Sequence, residues 1–275
     1  LPIFGSIRNS GFELQLDGRI IDRAVKWDLG VNFSLNRSKV LVLSEDKDIF
    51  GGELDNTILK DQLNLMRVGE PMYVFYGYVE DGYDENGHIV YKNMDDDPAI
   101  TAADKTIIGD PNPDFLVNLT TAVSYKGFTL SAFFQSSIGN DIYSLSMAAQ
   151  AYDYGYNGNT LREVYYNHWT PENPTAKYPN LDQTSYKMSD RFVYDGSFVR
   201  LKNLELAYDV PCARNKFIKR ARVYVSAQNL FTITSYPFWD PDINANGGGS
   251  SMIQGVDSYC YPSARTYTIG CRLTF

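Results

Sequence analysis

Apolar and polar side chains alternate along much of this 275-residue chain, as they do in β-strands that have one apolar and one polar face. Helical periodicity is almost absent, and the best helical candidate is the short connector CARNKFIKRA. The alternation predicts about eight strands, at residues 12–16, 27–35, 63–79, 115–125, 128–134, 190–209, 221–235 and 266–275. The sequence therefore predicts an all-β, antiparallel fold.

Two local features refine this pattern. Lys126-Gly127 separates two alternating segments and predicts a tight hairpin. In SFVRLKNLELAY the apolar residues change from odd positions to even ones, which predicts a β-bulge near Lys202-Asn203.

The connections between strands are of two kinds. Lys126-Gly127 and PCARNKFIKR are short, whereas the connections at 80–112, 143–189 and 236–262 are long and rich in Asp, Asn, Gly, Pro and Tyr. Short turns at one end and long loops at the other are typical of outer-membrane barrels, and a soluble β-sandwich has no reason to sort its loops in this way. One stretch departs from the rule, because counting strands back from a periplasmic C-terminus places the GRIIDR turn outside and EDKDIFGGELDNTILKDQ inside.

The length of one strand supports a membrane interpretation. Phe115 and Tyr125 share a face ten residues apart, which at ~3.3 Å per residue and a tilt of about 40° spans roughly 25 Å of height. This equals the apolar band expected between two aromatic girdles. The residues between them on that face carry no charge, as contact with lipid requires: Val117, Leu119, Thr121 and Val123.

Composition excludes several classes of function. The net charge of −8 argues against a nucleic-acid partner, and three cysteines without a CxxC pair indicate neither a disulfide framework nor a zinc site. No apolar run approaches the ~20 residues of a spanning helix. The chain opens LPIFGSIRNS, without Met or a basic segment, so we expect an internal piece of a longer protein. His88 and His168 lie outside recognisable catalytic motifs, and no enzyme activity or cofactor is predicted.

The long loops hold the candidate binding residues. The acidic residues Asp95, Asp96, Asp97, Asp104 and Asp110 suggest a calcium-binding site. The alternative is that these carboxylates are solvated charges on an exposed loop. The candidate contacts to substrate or partner are Tyr152, Tyr154, Tyr156, Trp169, Trp239 and Asp240. Aromatic rings can stack on sugars, and carboxylates can bind sugar hydroxyl groups. The alternative for the aromatic residues is packing within the loops, and this alternative is favoured for Trp239 and Trp169.

Six blocks, spread in order over nearly the whole chain, resemble the SusC-like (SusC/RagA) family of TonB-dependent outer-membrane transporters. They are VGEPMYVFYGY, IIGDPNPDFLVNLTTAVSYKGFTLSAFF, NHWTPENPTAKYP, DGSFVRLKNLELAYDVP, RVYVSAQNLFTITSYPFWDPD and YPSARTYTIGCRLTF. The combination of WTPENP, SFVRLKNLELAY and AQNLFTITSY is specific, although each block alone is weak.

The resemblance implies a 22-stranded transmembrane barrel, of which residues 1–275 would form the C-terminal part after the plug domain and the early strands. It also implies an integral protein of the cell outer membrane that imports glycans or peptides. The implied partners are a SusD-like surface lipoprotein, TonB-ExbB-ExbD through the plug, and outer-membrane lipid. The alternative is a small eight-stranded barrel that acts as an adhesin or structural surface protein.

The end of the chain is similar to the signal that outer-membrane assembly machinery recognises in such barrels. This signal is an alternating apolar strand that finishes on an aromatic residue. The residues that fit it are Tyr267, Ile269, Leu273 and Phe275.

Overall fold

The computed structural model describes residues 5–55, 59–152, 159–212, 217–243 and 252–275. Its strands are β1 Gly5–Asp22, β2 Val25–Leu43, β3 Ile49–Phe50, β4 Glu53–Asp55, β5 Lys60–Gln62, β6 Asn64–Met66, β7 Val74–Gly77, β8 Glu80–Tyr83, β9 Ile89–Tyr91, β10 Thr106–Gly109, β11 Phe115–Tyr125, β12 Phe128–Ile138, β13 Asp141–Ser144, β14 Val193–Asp195, β15 Phe198–Val210, β16 Arg220–Thr234, β17 Val256–Asp257 and β18 Thr266–Thr274. The helices are α1 Leu145–Tyr152 and α2 Arg162–Tyr166, with single 3₁₀ turns at Ser44–Asp46, Ala102–Asp104 and Asp190–Phe192.

The long strands form one open, antiparallel sheet of seven, in the order β1-β2-β11-β12-β15-β16-β18. Each strand pairs with the next long strand along the chain, which is the up-and-down order of a barrel wall. This confirms the predicted all-β, antiparallel barrel architecture. Within the described residues, no helix has both the length and the apolar character needed to cross a membrane.

The register gives the sheet one apolar and one polar face. A typical apolar row, running from β2 to β18, consists of Trp27, Val123, Leu130, Leu206, Val225 and Ile269. Aromatic rings lie near both ends of this face, with Phe33 against Phe115 at 5.8 Å and Phe128 against Tyr208 at 4.5 Å. Much of the apolar face is exposed, and Ile269 is 87% accessible. Such a face needs an apolar environment, which lipid provides.

Both predicted local irregularities are present. Tyr125 pairs with Phe128, and Lys126 and Gly127 both have positive φ (47° and 87°), which gives a two-residue turn that matches the twist of the strands. The pairing of β15 with β12 and with β16 skips Lys202, which confirms the bulge. The change of apolar parity therefore keeps one face apolar along the whole of β15.

The predicted strand at 63–79 is not part of the barrel wall. Its residues form β6 and β7, which belong to a separate four-stranded sheet with β3 and β10. With this segment removed, the long strands alternate between short connections (23–24, 126–127 and 211–219) and long ones (44–114, 139–197 and 235–265). The GRIIDR turn thus lies with the other short turns, and its predicted position outside was wrong.

The three long connections pack together into a body of their own, which we call the loop body. Every residue of the main buried hydrophobic cluster of the described chain comes from these connections, including Leu63, Phe75, Tyr143, Val164 and Ile253. The cluster excludes water from the β3, β6, β7 and β10 sheet and from α1. The loops at this end of the barrel wall are therefore a packed unit rather than separate extended segments.

Candidate functional site

The loop body meets the polar face of the barrel wall at Arg200. This residue lies on β15 and is only 2% exposed. Its guanidinium pairs with the carboxylate of Asp240, and Nη1 lies 3.3 Å from Asp242 Oδ2. Nε donates to Thr232 Oγ1 of the neighbouring β16 at 2.9 Å. We call this cluster the Arg200 clasp, because it fixes the 235–265 connection to the wall.

Asp240 is bound from several sides. The backbone N–H groups of Asp242 and Ser263 donate to its two carboxylate oxygens at 2.9 Å. Burial raises the pKa of Asp240, but these N–H groups and the Arg200 guanidinium outweigh burial and hold the pKa below its ordinary value. Asp240 is therefore charged at neutral pH.

The lowered pKa of Asp240 predicts how the clasp depends on pH. A carboxylate with a depressed folded-state pKa stabilises the fold fully above its unfolded pKa of about 3.9, and this contribution is lost as the pH falls through the folded value. We expect protease cleavage in the 235–265 connection to be constant near neutral pH and to increase only below about pH 4. Asp240→Asn should remove most of this acid dependence. Cleavage of the wild-type protein that already increases between pH 7 and pH 5 would contradict this expected pH dependence.

Two clefts flank the clasp. One, of about 370 Å³, is lined by Arg200, Trp239 and Asp240 together with residues of β16 and the 262–265 segment. The other, of about 300 Å³, lies between the polar face of β11 and β12 and the loop body. The polar residues that line it are Asn118, Gln135, Ser136, Ser137, Asn140, Asp242 and Gln254. Both clefts open where a solute that passes along the polar face would meet the loop body.

The predicted contact residues that the structure describes do not gather at one site. Trp239 and Asp240 lie at the same cleft; Trp239 is 57% exposed and stacks on Phe238 at 4.7 Å, whereas Asp240 is committed to Arg200. Trp169 is half-buried and lies over Gly87, where an added Cβ would clash with the indole. These contacts favour the packing alternative for Trp169.

Tyr152 is 3% exposed and cannot present a ring face to a ligand in this conformation. One face stacks on Tyr186 at 3.8 Å, and the edge of Phe192 lies 5.1 Å away. The expected sugar contact is therefore replaced by packing in the loop body. Tyr154 and Tyr156 lie outside the described residues, and their role stays a prediction.

The acidic run does not form a shared site. Both carboxylate oxygens of Asp104 accept from backbone N–H groups, of Met94 and Thr101, at 2.7 Å. Asp95 and Asp97 likewise each accept from a backbone N–H two residues further on. Among the described residues, no three His, Cys, Asp or Glu side chains converge as metal ligands. Calcium binding stays a prediction, which a comparison of melting in calcium and in chelator would test.

The two histidines make contacts within the loop body. Nε2 of His88 lies 2.8 Å from Asp182 Oδ1, and Nδ1 of His168 lies 2.8 Å from the Tyr165 carbonyl oxygen. The His88 contact joins two loop segments that are 94 residues apart in sequence, whereas the His168 contact is local, with a residue three positions earlier.

Arg200, Asn118 and Gln135 were not among the predicted site residues. All three occupy polar-face positions in strands whose alternation is clear in the sequence. The available signal was an arginine in the polar register of VRLKN that had acidic candidates in the DPD of the next long loop. For finding site residues in the sequence, the polar positions of the strands were thus as informative as the aromatic residues of the loops.

The chain is similar to TonB-dependent receptors along its whole length, although no family model matches it. TonB-dependent receptor P3 of Formosa agariphila is 31% identical over 98% of this chain, which covers 29% of that protein. TonB-dependent receptor SusC of Bacteroides thetaiotaomicron is 28% identical over 98% of this chain, which covers 27% of SusC. The chain thus spans less than a third of the length of these relatives.

Solved structures give the same result. The structure of the RagAB peptide transporter matches 99% of this chain with a TM-score of 0.80 and 26% identity, and the chain covers 29% of it. The closed-closed state of the RagAB peptide importer also matches with a TM-score of 0.80, over 98% of this chain. By sequence and by fold, this chain therefore belongs to the SusC- and RagA-like TonB-dependent receptors.

Proposed function

We propose that the chain is part of an outer-membrane importer that takes up oligosaccharides or peptides with energy delivered through TonB. The observation that carries the proposal is the two-faced sheet, with an exposed apolar face for lipid, a polar face for the lumen and a packed loop body at one end. The proposal is also supported by relatives that are named TonB-dependent receptors and by a peptide transporter among the structural matches.

We further propose a SusD-like surface lipoprotein as the partner of the loop body. This proposal is supported by the similarity to SusC and to the RagAB transporter. Affinity purification of the tagged full-length protein from outer membranes should co-isolate one abundant lipoprotein. Isolation of the receptor without any lipoprotein, under detergent conditions that preserve other outer-membrane complexes, would contradict this part.

Transport by the full-length protein in isogenic cells with and without TonB tests the main proposal. Labelled neutral oligosaccharides and labelled peptides of equal length should be offered separately, so that the substrate class is read directly. We expect accumulation of one class, and we expect it only when TonB is present. Equal accumulation in both strains would contradict energy-coupled import.

We also propose that β18 and the residue after it act as an assembly signal. Tyr267, Ile269, Leu273 and Phe275 are all exposed on this strand or just beyond it, and β18 pairs with β16. Removal of Phe275 from the full-length protein should lower its level in outer-membrane fractions on immunoblots. Thr274→Ala, which changes a neighbouring polar position, is the control and should leave the level unchanged; equal levels for both variants would remove this role.

A further inference from the structure

Two basic side chains lie directly opposite each other on β1 and β2, at the end of the barrel wall that carries the long connections. The register pairs Arg8 of β1 with Lys39 of β2. Both side chains are exposed, and within the described part of the chain neither makes an ion pair. Like charges directly opposite each other in an antiparallel strand pair destabilise it. This pair, which we call the outer basic pair, therefore favours an anion beside it.

The other charged pairs in the β1–β2 register combine opposite charges. Arg19 lies opposite Asp28, and its Nε donates to Asp28 Oδ1 at 2.8 Å. Asp22 lies opposite Lys26. The outer basic pair is thus the exception in these two strands, since the chain places no carboxylate across from either cation.

The outer basic pair lies on the lipid-facing side of the sheet. In β2, Ser38 Oγ accepts from the backbone N–H of Met72 at 3.1 Å, and Val40 is fully buried, so these even positions face the loop body. Successive residues of a strand point to opposite faces. Lys39 and its partner Arg8 therefore point outward, on the side of the apolar face.

An exposed apolar strip continues from the outer basic pair toward the middle of the sheet. On β1 it consists of Phe12, Leu14 and Leu16, and the ring of Phe12 lies 6.3 Å from that of Phe33 in the aromatic band. Arg8 is four residues beyond Phe12, which corresponds to about 13 Å along the strand and roughly 10 Å of height at a tilt of about 40°. Lipid headgroups extend about 5–8 Å beyond the hydrocarbon, and long basic side chains can bend toward them.

An amphipathic anion matches both features of this surface. Its acyl chains would cover the apolar strip, and a phosphate group would accept charge-assisted hydrogen bonds from the two cations. A small soluble anion would use the cations alone, and a protein partner would have to displace lipid from the strip. Long connections mark the extracellular end of an outer-membrane barrel, so the leaflet concerned is the outer one.

We propose that Arg8 and Lys39 bind the phosphate groups of an anionic lipid in the outer leaflet of the outer membrane, with its acyl chains along the apolar strip of β1. The bound phosphate offsets the repulsion within the outer basic pair. This inference goes beyond the proposed import function, because it requires neither a transported substrate nor TonB. It depends on which face of the sheet contacts lipid.

Lipid titration of the full-length protein in detergent, read by native mass spectrometry, tests the site. The probes are diphosphoryl lipid A, phosphatidylcholine and inorganic phosphate. We expect wild-type protein to bind lipid A most tightly, because phosphatidylcholine has no net negative charge and inorganic phosphate has no acyl chains. Arg8→Gln combined with Lys39→Gln should weaken the binding of lipid A about thirtyfold, at about fivefold for each lost cation.

Arg19→Gln combined with Lys26→Gln is the matched control, since it removes one arginine and one lysine from the same two strands on the polar face. It should keep the wild-type affinity for lipid A. Equal affinity in wild type and the Arg8→Gln, Lys39→Gln variant would overturn the inference, and so would an equal loss in the control. Phosphatidylcholine or inorganic phosphate that binds as tightly as lipid A would overturn it as well.

Arg8→Glu provides a second test that does not depend on a loss of stability. It places a carboxylate opposite Lys39, so the thermal midpoint in lipid-free detergent should rise above that of wild type. Lipid A should raise the midpoint of wild-type protein and leave that of Arg8→Glu unchanged. An equal increase with lipid A in both proteins would show that the outer basic pair does not hold the lipid.

Discussion

Replacement of Arg200 by methionine is expected to destabilise the protein by about 3–5 kcal/mol, because it leaves the carboxylate of Asp240 buried without its cation. Methionine approximates the length of the arginine stem, so the loss of packing is small and the loss of charge dominates. The Asp242 carboxylate and the Thr232 hydroxyl lose a donor in the same step. The urea midpoint of the full-length protein in detergent measures the effect, and cleavage of the 235–265 connection by protease shows where it acts.

Arg222→Met is the control for this prediction. Arg222 also lies on the polar face, but its contact with Asp209 is 3.8 Å long and both side chains are partly exposed. Its replacement should change stability by no more than about 0.5 kcal/mol. Arg200→Met combined with Asp240→Asn should recover part of the loss, since the orphaned charge is then removed. Equal midpoints for Arg200→Met and Arg222→Met would show that the clasp does not hold the loop body.

The barrel wall was predictable because its physical requirement is local. A strand between lipid and a watery lumen must alternate at every residue, and the predicted segment from Phe115 to Tyr125 coincides with β11. The bulge at Lys202 was predictable for the same reason, because one extra residue must reverse the parity. In these strands, the apolar positions of the sequence pattern lie on the apolar face of the sheet and the polar positions lie on the polar face.

The segment at 63–79 shows where that argument fails. MYVFYGYV is apolar and aromatic, but it does not alternate cleanly, and the neighbouring residues Val74 and Phe75 are both buried in the loop body. Near-continuous burial indicates a strand covered on both faces, and this differs from a strand with one lipid face. A stricter test of alternation, in place of apolar content, would have separated this segment from the barrel strands.

The Arg200 clasp depends on residues that are far apart in sequence. Arg200 and Asp240 are 40 residues apart, one in a strand and the other in a long connection, and no local period relates them. Local sequence patterns therefore predict the strands of the barrel wall, whereas the contacts between the wall and the loop body are visible only in the folded structure.

The second large expected effect depends on which face of the sheet contacts lipid. Leu119 lies on the apolar face near the middle of β11, beside Val31 and Phe134 on the adjacent strands. An arginine at the centre of a lipid-facing strand costs about 2–4 kcal/mol, because its charge cannot be solvated by hydrocarbon. We therefore expect Leu119→Arg to lower both the outer-membrane level of the full-length protein and its stability after refolding into lipid vesicles.

Thr120→Arg is the matched control, because Thr120 is the next residue on the same strand and belongs to the polar face. It lies opposite Gly30, whose own partner in β1 is Asp17, so the new guanidinium would enter a polar cleft that contains the carboxylate of Asp17 and the Arg19–Asp28 ion pair. This variant should assemble at the wild-type level, because water and carboxylates solvate the charge. If Thr120→Arg were instead the more damaging of the two, the lipid and lumen faces would have to be exchanged.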